Sequence, residues 1–579
     1  MVRASHKYIL FFIYISAVFL FFLKVDYPLS PGPQDSCTYY FIGHSNVKYL
    51  QEAILSDPTV LSKEKCAADH IVPCAMPVGK PLLFLVHTLF AALLPAGFGS
   101  MAIGQALLAA ALAGALILLV RLLLEQGAIN TGKGAWQYYC LPVLLFFALS
   151  GSQLLYSKQF DPPLLNSLVI TLMAAALIAY QIRPGWGRAC LLGLSVSLAL
   201  TAHLSTIPFI GTLLLVAGIS FFLENRKQTW KSKIAQASVA AMSILVAPLL
   251  AQLLTWLPTL WIQDPQAWKF TAYYQRPYSS YFGQVWWYVQ AVDSYIDYSY
   301  PVYRRFIQFC LYPLVLEGPV VLLAAGGWFL VLSSLLRQGW RSWKGVLLLG
   351  PVVPIFWYTF QRSLFPKIEA VAPLGIYFSL LAGYAVWHLF AKIQSSQQVM
   401  KKGIIVAFLV LMVALQVIHV WPIIKYQGGF LRLRAWLEKQ GQDRVVCLVR
   451  QGLGEAAGIN TWGFEGNGGN HGVVGAWGMR PALSWKSTNL PRFVAATELH
   501  YLSSEEKDFL KYHGIDLKKP LVHFSDYPNQ YYYMVKYLDY FCEIFCRPNY
   551  SWCRKIKAEA GRIENWHYET GVFIYQIKN

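Results

Sequence analysis

Charge is scarce in this chain. Of 579 residues only 13% are charged, and just 29 are acidic. A soluble globular domain carries about 25% charged residues. A body of 65.4 kDa so poor in charge cannot be coated by ionic side chains, so lipid must cover much of its surface. Other signatures are missing as well. No CxxC…CxxC spacing is present, which excludes a zinc module of that type. The glycine-rich run at 466–472 has no Rossmann pattern around it. There is no internal repeat, no low-complexity linker and no small-residue cleavage site after the first apolar run, Tyr8 to Leu23. That run is therefore expected to stay as a first span rather than act as a removable signal.

What is present is apolar length. Hydrophobic residues make up 56% of the chain, and the mean hydropathy is +0.42. The net charge of +19 could suggest nucleic acid, but basic residues sit mostly in short loops between apolar runs. That is the positive-inside pattern of a membrane protein, and basic stripes with interleaved aromatics are missing. Beyond the first span, runs near 100–124, 137–152, 163–181, 189–204, 207–223, 235–258, 312–336, 346–361, 368–390 and 403–421 have the length a span needs. About eleven spans result. The two short runs flanking His203 could instead form one re-entrant hairpin.

With the N-terminus cytoplasmic, every inner loop is basic: Arg121 and Lys133, Arg183 and Arg188, Arg226 to Lys233, Arg337 to Lys344, and Lys392 to Lys402. The outer side then receives 25–99, 153–162, 259–311, 362–367 and the tail. The expected fold is a polytopic α-helical membrane protein with two parts: a transmembrane module, 1–425, and an extracytoplasmic α/β domain, 426–579. In the tail, 431–440 has helical spacing, 444–449 reads as a strand, Gly-rich loops follow over 452–478, and late strands are expected at 530–537 and 571–577. In an oxidising compartment Cys66–Cys74 and one pair among Cys542, Cys546 and Cys553 could be disulfides; plain buried thiols are the equal alternative.

The chemistry is expected on the outer loops. Asp35 lies in Asp35-Ser36-Cys37-Thr38-Tyr39, shortly after the first span, and Asp161 in the very short second outer loop, before Pro162. Asp then Pro is also good helix-start chemistry, and a cap and a functional carboxylate are compatible. Lys80 precedes an apolar helix at 82–94 that should lie along the interface. Arg276 follows Asp264-Pro265 in an aromatic loop, and Arg362 and Lys367 share a tight turn. Snorkelling to headgroups accounts for any one such cation. Four converging near two carboxylates would instead suit a lipid phosphate.

In their order these motifs resemble the GT-C glycosyltransferases that use polyprenyl-phosphate sugars, particularly the aminoarabinose transferase of lipid A and the protein O-mannosyltransferases. The resemblance runs through Asp35 with Tyr39, Lys80-Pro81, Asp161-Pro162, Asp264-Pro265 with Arg276, and the Arg362–Lys367 turn followed by Ala372-Pro373-Leu374. Ser36 stands where the family's first motif has a second acid, and Thr38 where the lipid A enzymes have an Arg; either points to a different donor sugar or acceptor. The resemblance implies a hexosyl or pentosyl transferase that takes an undecaprenyl-phosphate type donor and a lipid or protein acceptor in a bacterial inner membrane, its tail in the periplasm. Asp35 and Asp161 would be catalytic, with Lys80, Arg276, Arg362 and Lys367 on the donor phosphate. No metal ligand set and no cofactor is implied, although a divalent metal stays open. The competing class is a membrane transporter or lipid flippase. It would need ionisable groups or broken helices near the midplane, whereas ionisable residues are expected here only at span ends.

Overall fold

The structure is a computed structural model that describes residues 2–26, 81–94, 98–127, 135–158, 163–224, 229–250, 302–360, 371–395, 399–448, 460–462, 490–497, 502, 504–524 and 571–577. Helix α1 is Val2–Asp26, α2 Pro81–Leu93, α3 Phe98–Glu125, α4 Ala135–Ala148, α5 Gly151–Ser157 and α6 Pro163–Ile182. Next come α7 Trp186–Ala202, α8 Ile207–Leu223, α9 Trp230–Ile244, α10 Val302–Glu317 and α11 Val320–Gln338. The membrane part closes with α12 Ser342–Leu349, α13 Val353–Phe360, α14 Leu374–Ser395 and α15 Val399–Ile424. Among the described residues eight helices are long and apolar enough to cross a membrane, or up to ten if each of two bent pairs is one span. Helix α7, over the run expected at 189–204, is apolar but shorter, at 17 residues.

Three expected spans are broken. α4 and α5 meet at 50°, and α12 and α13 at 45°. The run expected at 312–336 is divided between α10 and α11 at Gly318-Pro319, where Gly318 has φ +59°. Proline has no N–H to give, and a positive φ suits glycine. At the α12/α13 bend Gly350 stays helical (φ −52°), and Pro351, with no N–H, follows it.

A break in lipid frees backbone groups that water cannot reach, so protein must pair them. Here two breaks pair each other. Gln416 of α15 donates from Nε2 to the Leu149 carbonyl (2.8 Å) at the end of α4, while its Oε1 accepts from Val320 N (3.2 Å) at the start of α11. His419, also on α15, lies 3.3 Å through Nε2 from the Leu316 carbonyl near the end of α10. Glu317, the last residue of α10, accepts from Ser150 Oγ (3.0 Å), the N-cap of α5, and from Ser152 N (3.3 Å). Ser152 Oγ also donates to it. Ser152 Oγ and Gln153 Nε2 both reach the Ala372 carbonyl, at 3.1 and 2.9 Å, just before α14. Glu317 is 2% exposed and sits at the break between two helices, just ahead of the candidate span that starts at Val320.

Small residues let the backbones meet. A Cβ on Gly151 would lie 1.8 Å from the Leu316 carbonyl, one on Gly327 of α11 2.0 Å from the Leu381 carbonyl, and one on Gly193 of α7 2.2 Å from the Ala240 carbonyl. On the outer surface of the bundle, α15 exposes Ile404, Phe408, Leu411 and Ile418, and α1 exposes Phe12 and Leu20. Such a continuous apolar face is what lipid covers.

After α15, helix α16 (Gly429–Lys439) leads into a five-stranded sheet of order β2-β1-β3-β5-β4. Its strands are β1 Arg444–Leu448, β2 Asn460–Trp462, β3 Phe493–Thr497, β4 Val522–Phe524 and β5 Val572–Gln576, with α17 (Ser504–Tyr512) between β3 and β4. β1 runs parallel to β2 and β3, and β5 is antiparallel to β3 and β4. Strand period sends Val445, Cys447, Phe493, Ala495, Val572 and Ile574 into one core with Val420, Ile423 and Phe430. Val446, Val494 and Phe573 face the other way, onto Phe509 and Leu510 of α17. The strands expected at 444–449 and 571–577 are β1 and β5. β2 interrupts the stretch expected to be loop, while 530–537 lies outside the described residues, as do Cys66, Cys74, Cys542, Cys546 and Cys553. Cys447 is buried.

Two substitutions test this frame. Gln416→Leu leaves the Leu149 carbonyl and the Val320 N–H buried without partners, at about 1–3 kcal/mol each, so thermal unfolding of the detergent-purified protein is expected several degrees lower. Gly151→Ala forces a Cβ onto backbone rather than onto a movable side chain, and its loss in folded yield should exceed that of Gly185→Ala, whose Cβ meets nothing within 4 Å.

Candidate active site at the loop face

The six residues picked from sequence, Asp35, Lys80, Asp161, Arg276, Arg362 and Lys367, all lie outside the described residues. What the structure places is the stems that carry their segments. Those stems meet on one face.

The first meeting point joins α1, α5 and the end of α15. Asp26, the last residue of α1, is 1% exposed, and its Oδ1 accepts from Ser157 Oγ at 2.8 Å. Its Oδ2 is buried with no hydrogen-bond partner. The next residue, Lys158, donates from Nζ to the carbonyls of Ile424 (2.7 Å) and Tyr426 (3.0 Å). A lysine on carbonyls at a helix C-terminus satisfies groups the helix leaves open and meets its negative end. The ends of α1, α5 and α15 therefore lie together. Neither Asp26 nor Lys158 stood out in the sequence, where both read as ordinary charges flanking a span.

The second meeting point lies where α6 starts, the α7/α8 hairpin turns and α13 ends. His203 is extended (φ −166°) and begins a 3-10 turn over Leu204–Thr206. Its Nδ1 accepts from Ser205 N at 3.0 Å and lies 2.7 Å from Ser205 Oγ. With Nδ1 accepting, the neutral ring carries its proton on Nε2. Asn166, three residues after Pro163, donates from Nδ2 to Ser205 Oγ at 3.2 Å. Tyr358 donates its hydroxyl to the Ser205 carbonyl. The Tyr358 ring stacks on Phe309 of α10 (5.3 Å, 29°) and meets Phe209 edge-on (6.5 Å). The start of α6, the α7/α8 turn, α10 and α13 thus meet in one aromatic and hydroxyl cluster. His203 is a half-buried turn residue whose ring bonds within its own turn.

The opposite face gathers the helix ends next to the basic loops. Gln126, just past α3, donates from Nε2 to Ser342 Oγ (2.8 Å) at the start of α12, and Trp340 Nε1 donates to Ser220 Oγ of α8 (2.9 Å). Lys344 reaches the carbonyls of Ser334 and Gly339 at 2.9 and 3.0 Å, and Lys233 that of Phe221 at 3.1 Å. These two lysines bind helix ends and are not simply solvated loop charges. Among the described residues no cluster of three His, Cys, Asp or Glu side chains could hold a metal.

Lys158 gives this face a pH signature. Burial pulls its ammonium down to about 8, against a smaller upward push from the Asp26 carboxylate. The folded protein thus releases this proton before the unfolded chain does, and stability rises as pH climbs from about 8 toward the ordinary 10.5. Across that window the thermal midpoint of the wild-type protein should gain on that of Lys158→Met. A constant difference would mean that the ammonium stays charged throughout.

No protein-family model and no curated protein matches the sequence. Solved structures do. The archaeal oligosaccharyltransferase AglB from Archaeoglobus fulgidus, in complex with an inhibitory peptide and a dolichol-phosphate, superposes with a TM-score of 0.50 at 10% identity, over 88% of this chain and 72% of that one. ArnT from Cupriavidus metallidurans, bound to undecaprenyl phosphate, gives 0.47 at 13% identity, over 86% of this chain and 94% of that one. Identities this low report on the fold alone, which this chain shares with the AglB structure.

Proposed function

We propose that the protein is a membrane glycosyltransferase that moves a sugar from a polyprenyl-phosphate donor to a cell-envelope acceptor, such as lipid A or lipopolysaccharide, another glycolipid, or a protein. The observation that carries this reading is the gathering of the segment stems on one face of a GT-C fold. That face is taken as periplasmic, in a bacterial inner membrane with the N-terminus cytoplasmic, and the tail sheet as an extracytoplasmic domain that shapes acceptor choice. AglB and ArnT were solved with dolichol-phosphate and undecaprenyl phosphate respectively, which suits a lipid-phosphate donor here.

The reaction is a displacement at the anomeric carbon. The acceptor hydroxyl oxygen forms the new bond while the bond to the lipid phosphate oxygen breaks, and the phosphate leaves with the electron pair. Asp35 takes the hydroxyl proton, which requires an ionised carboxylate about 3 Å away. Asp161 positions the acceptor or shares that role. Lys80 and Arg276, supported by Arg362 and Lys367, meet the charge that grows on the departing phosphate. One displacement inverts the anomeric centre.

A flippase has one observation in its favour, the buried Glu317 among broken helices. That carboxylate is engaged in capping α5, however.

The test uses full-length protein and undecaprenyl-phosphate glucose, mannose or aminoarabinose, with an envelope fraction from cells that lack the protein as acceptor. Asp35→Asn and Asp161→Asn should each lower transfer by about 100-fold or more, the scale of general-base catalysis, at normal membrane levels. Unchanged transfer in both variants would reject the site, and a product of retained configuration would reject the single displacement. Lys80→Ala should weaken undecaprenyl phosphate binding about tenfold, as loss of a hydrogen bond to a charged group does; a snorkelling lysine would change little.

A further inference from the structure

Cations on the face opposite the loops fall into two kinds. Arg188, Lys233 and Lys344 end on carbonyls, at 2.8, 3.1 and 2.9 Å, and tie helices together. Arg183, Lys231, Arg337 and Arg341 are exposed, and among the described residues none of them has an ion-pair partner. The described acids of this face are already engaged. Glu125 pairs with Arg121 at 3.3 Å, and Glu224, which Arg341 attracts, accepts from Ser342 Oγ at 3.3 Å. Four open cations with no acid to answer them draw an anion from outside the chain.

Their helices hold these cations on one patch. Tyr180, near the end of α6, donates to Gln236 Oε1 of α9 at 3.0 Å, and Arg188 of α7 reaches back to the Arg183 carbonyl at 3.2 Å. Trp230, the first residue of α9, packs on Phe221 and Phe222 at the end of α8, with centroids 5.8 and 6.1 Å away. Trp340, between α11 and α12, donates to Ser220 of the same helix end at 2.9 Å. The end of α8 thus joins the Arg183 and Lys231 side of the patch to the Arg337 and Arg341 side.

An apolar flank begins where the cations stop. Trp186, Phe222 and Trp230 are 56, 63 and 60% exposed, and such rings beside cations suit the headgroup level of a bilayer. From Trp230 the candidate span continues to Leu250, and it exposes Ile234, Met242, Leu245 and Leu249. Helical spacing puts those four on one side, in a stripe about 22 Å long. Half of a bilayer's hydrocarbon core is about 15 Å, so an acyl chain fits along the stripe. A soluble anion would use the cations alone, and an acidic protein would have no use for a stripe facing lipid. A phospholipid uses both at once.

We propose that this patch binds anionic phospholipid, with the headgroup phosphate on Arg183 and Lys231, the Arg337 and Arg341 pair adding to the field, and an acyl chain along α9. The site lies on the face away from the proposed transfer chemistry and stands without that reading.

The experiment titrates full-length protein in neutral detergent with dioleoyl phosphatidylglycerol or dioleoyl phosphatidylcholine and counts retained lipid by native mass spectrometry. Wild-type protein should bind phosphatidylglycerol at least twentyfold more tightly. A cation near an anionic lipid headgroup contributes about fivefold, so the double variant Arg183→Gln/Lys231→Gln should lose about twentyfold in affinity for phosphatidylglycerol and stay within twofold for phosphatidylcholine. All four cations are exposed, which leaves the core of the variant unchanged. Lys425→Gln/Arg434→Gln removes the same charge from exposed positions near the loop face and should stay within twofold for both lipids. Trp186→Ala/Trp230→Ala should weaken both lipids alike. Equal affinity of the wild-type protein for the two lipids would overturn the proposal. So would an equal loss in the Lys425 and Arg434 control, which would reduce the effect to net charge, or unchanged binding in the tryptophan variant. Glycerol 3-phosphate bound as tightly as phosphatidylglycerol would make this a site for a soluble anion, and polyglutamate bound as tightly would make it a surface for an acidic protein; either result rejects the lipid.

Discussion

Broken helices in lipid owe every freed N–H and carbonyl a partner, and in this molecule that debt is met by α15 and by Glu317. Gln416 serves the end of α4 and the start of α11 with one amide, and Glu317 serves the start of α5. Neither break could persist alone, since each supplies or shares the groups that satisfy the other. The rest of the loop face follows from this mutual capping. It sets where α5 points, where α10 arrives and where α14 begins, and those helices bear the segments with the acidic and basic side chains.

Lysines on the two faces solve one problem in two settings. Lys158 on the loop face, and Lys233 and Lys344 on the other, each end on carbonyls at helix termini. A long aliphatic stem lets the ammonium reach such carbonyls from an apolar wall. Counting these residues as loop charges misses that they are structural ties.

Much of the membrane fold was legible because its signals are local. Apolar runs need no knowledge of distant residues, and eight of them are helices long enough to cross a membrane among the described residues. The breaks also left local marks in Gly318-Pro319 and Gly350-Pro351, which hydropathy averaging conceals. Glu317 was invisible for a different reason. It sits inside an expected apolar run, and the serines that explain it are 165 and 167 residues away. Asp26 and Ser157 are 131 apart. In the tail, β3 escaped notice because a short strand buried on both sides lacks the alternation that reveals a half-exposed strand, and β4 because three residues are too few to show one. Of the candidate site, the order of motifs was readable, while the stems that aim them required the folded chain.

The sheet that follows α15 has consequences for how this protein could be divided. One of its faces is continuous with the helix core through Val420, Ile423 and Phe430, and the other closes separately over α17. A cut near residue 426, the natural place to look for a linker, would strip apolar surface from both halves at once. The tail is thus a graft rather than a pendant. A soluble fragment made from it should be sticky, the helical remainder should lose support under α16, and swapping tails between related proteins would require the Ile423–Phe430 seam to travel with the sheet.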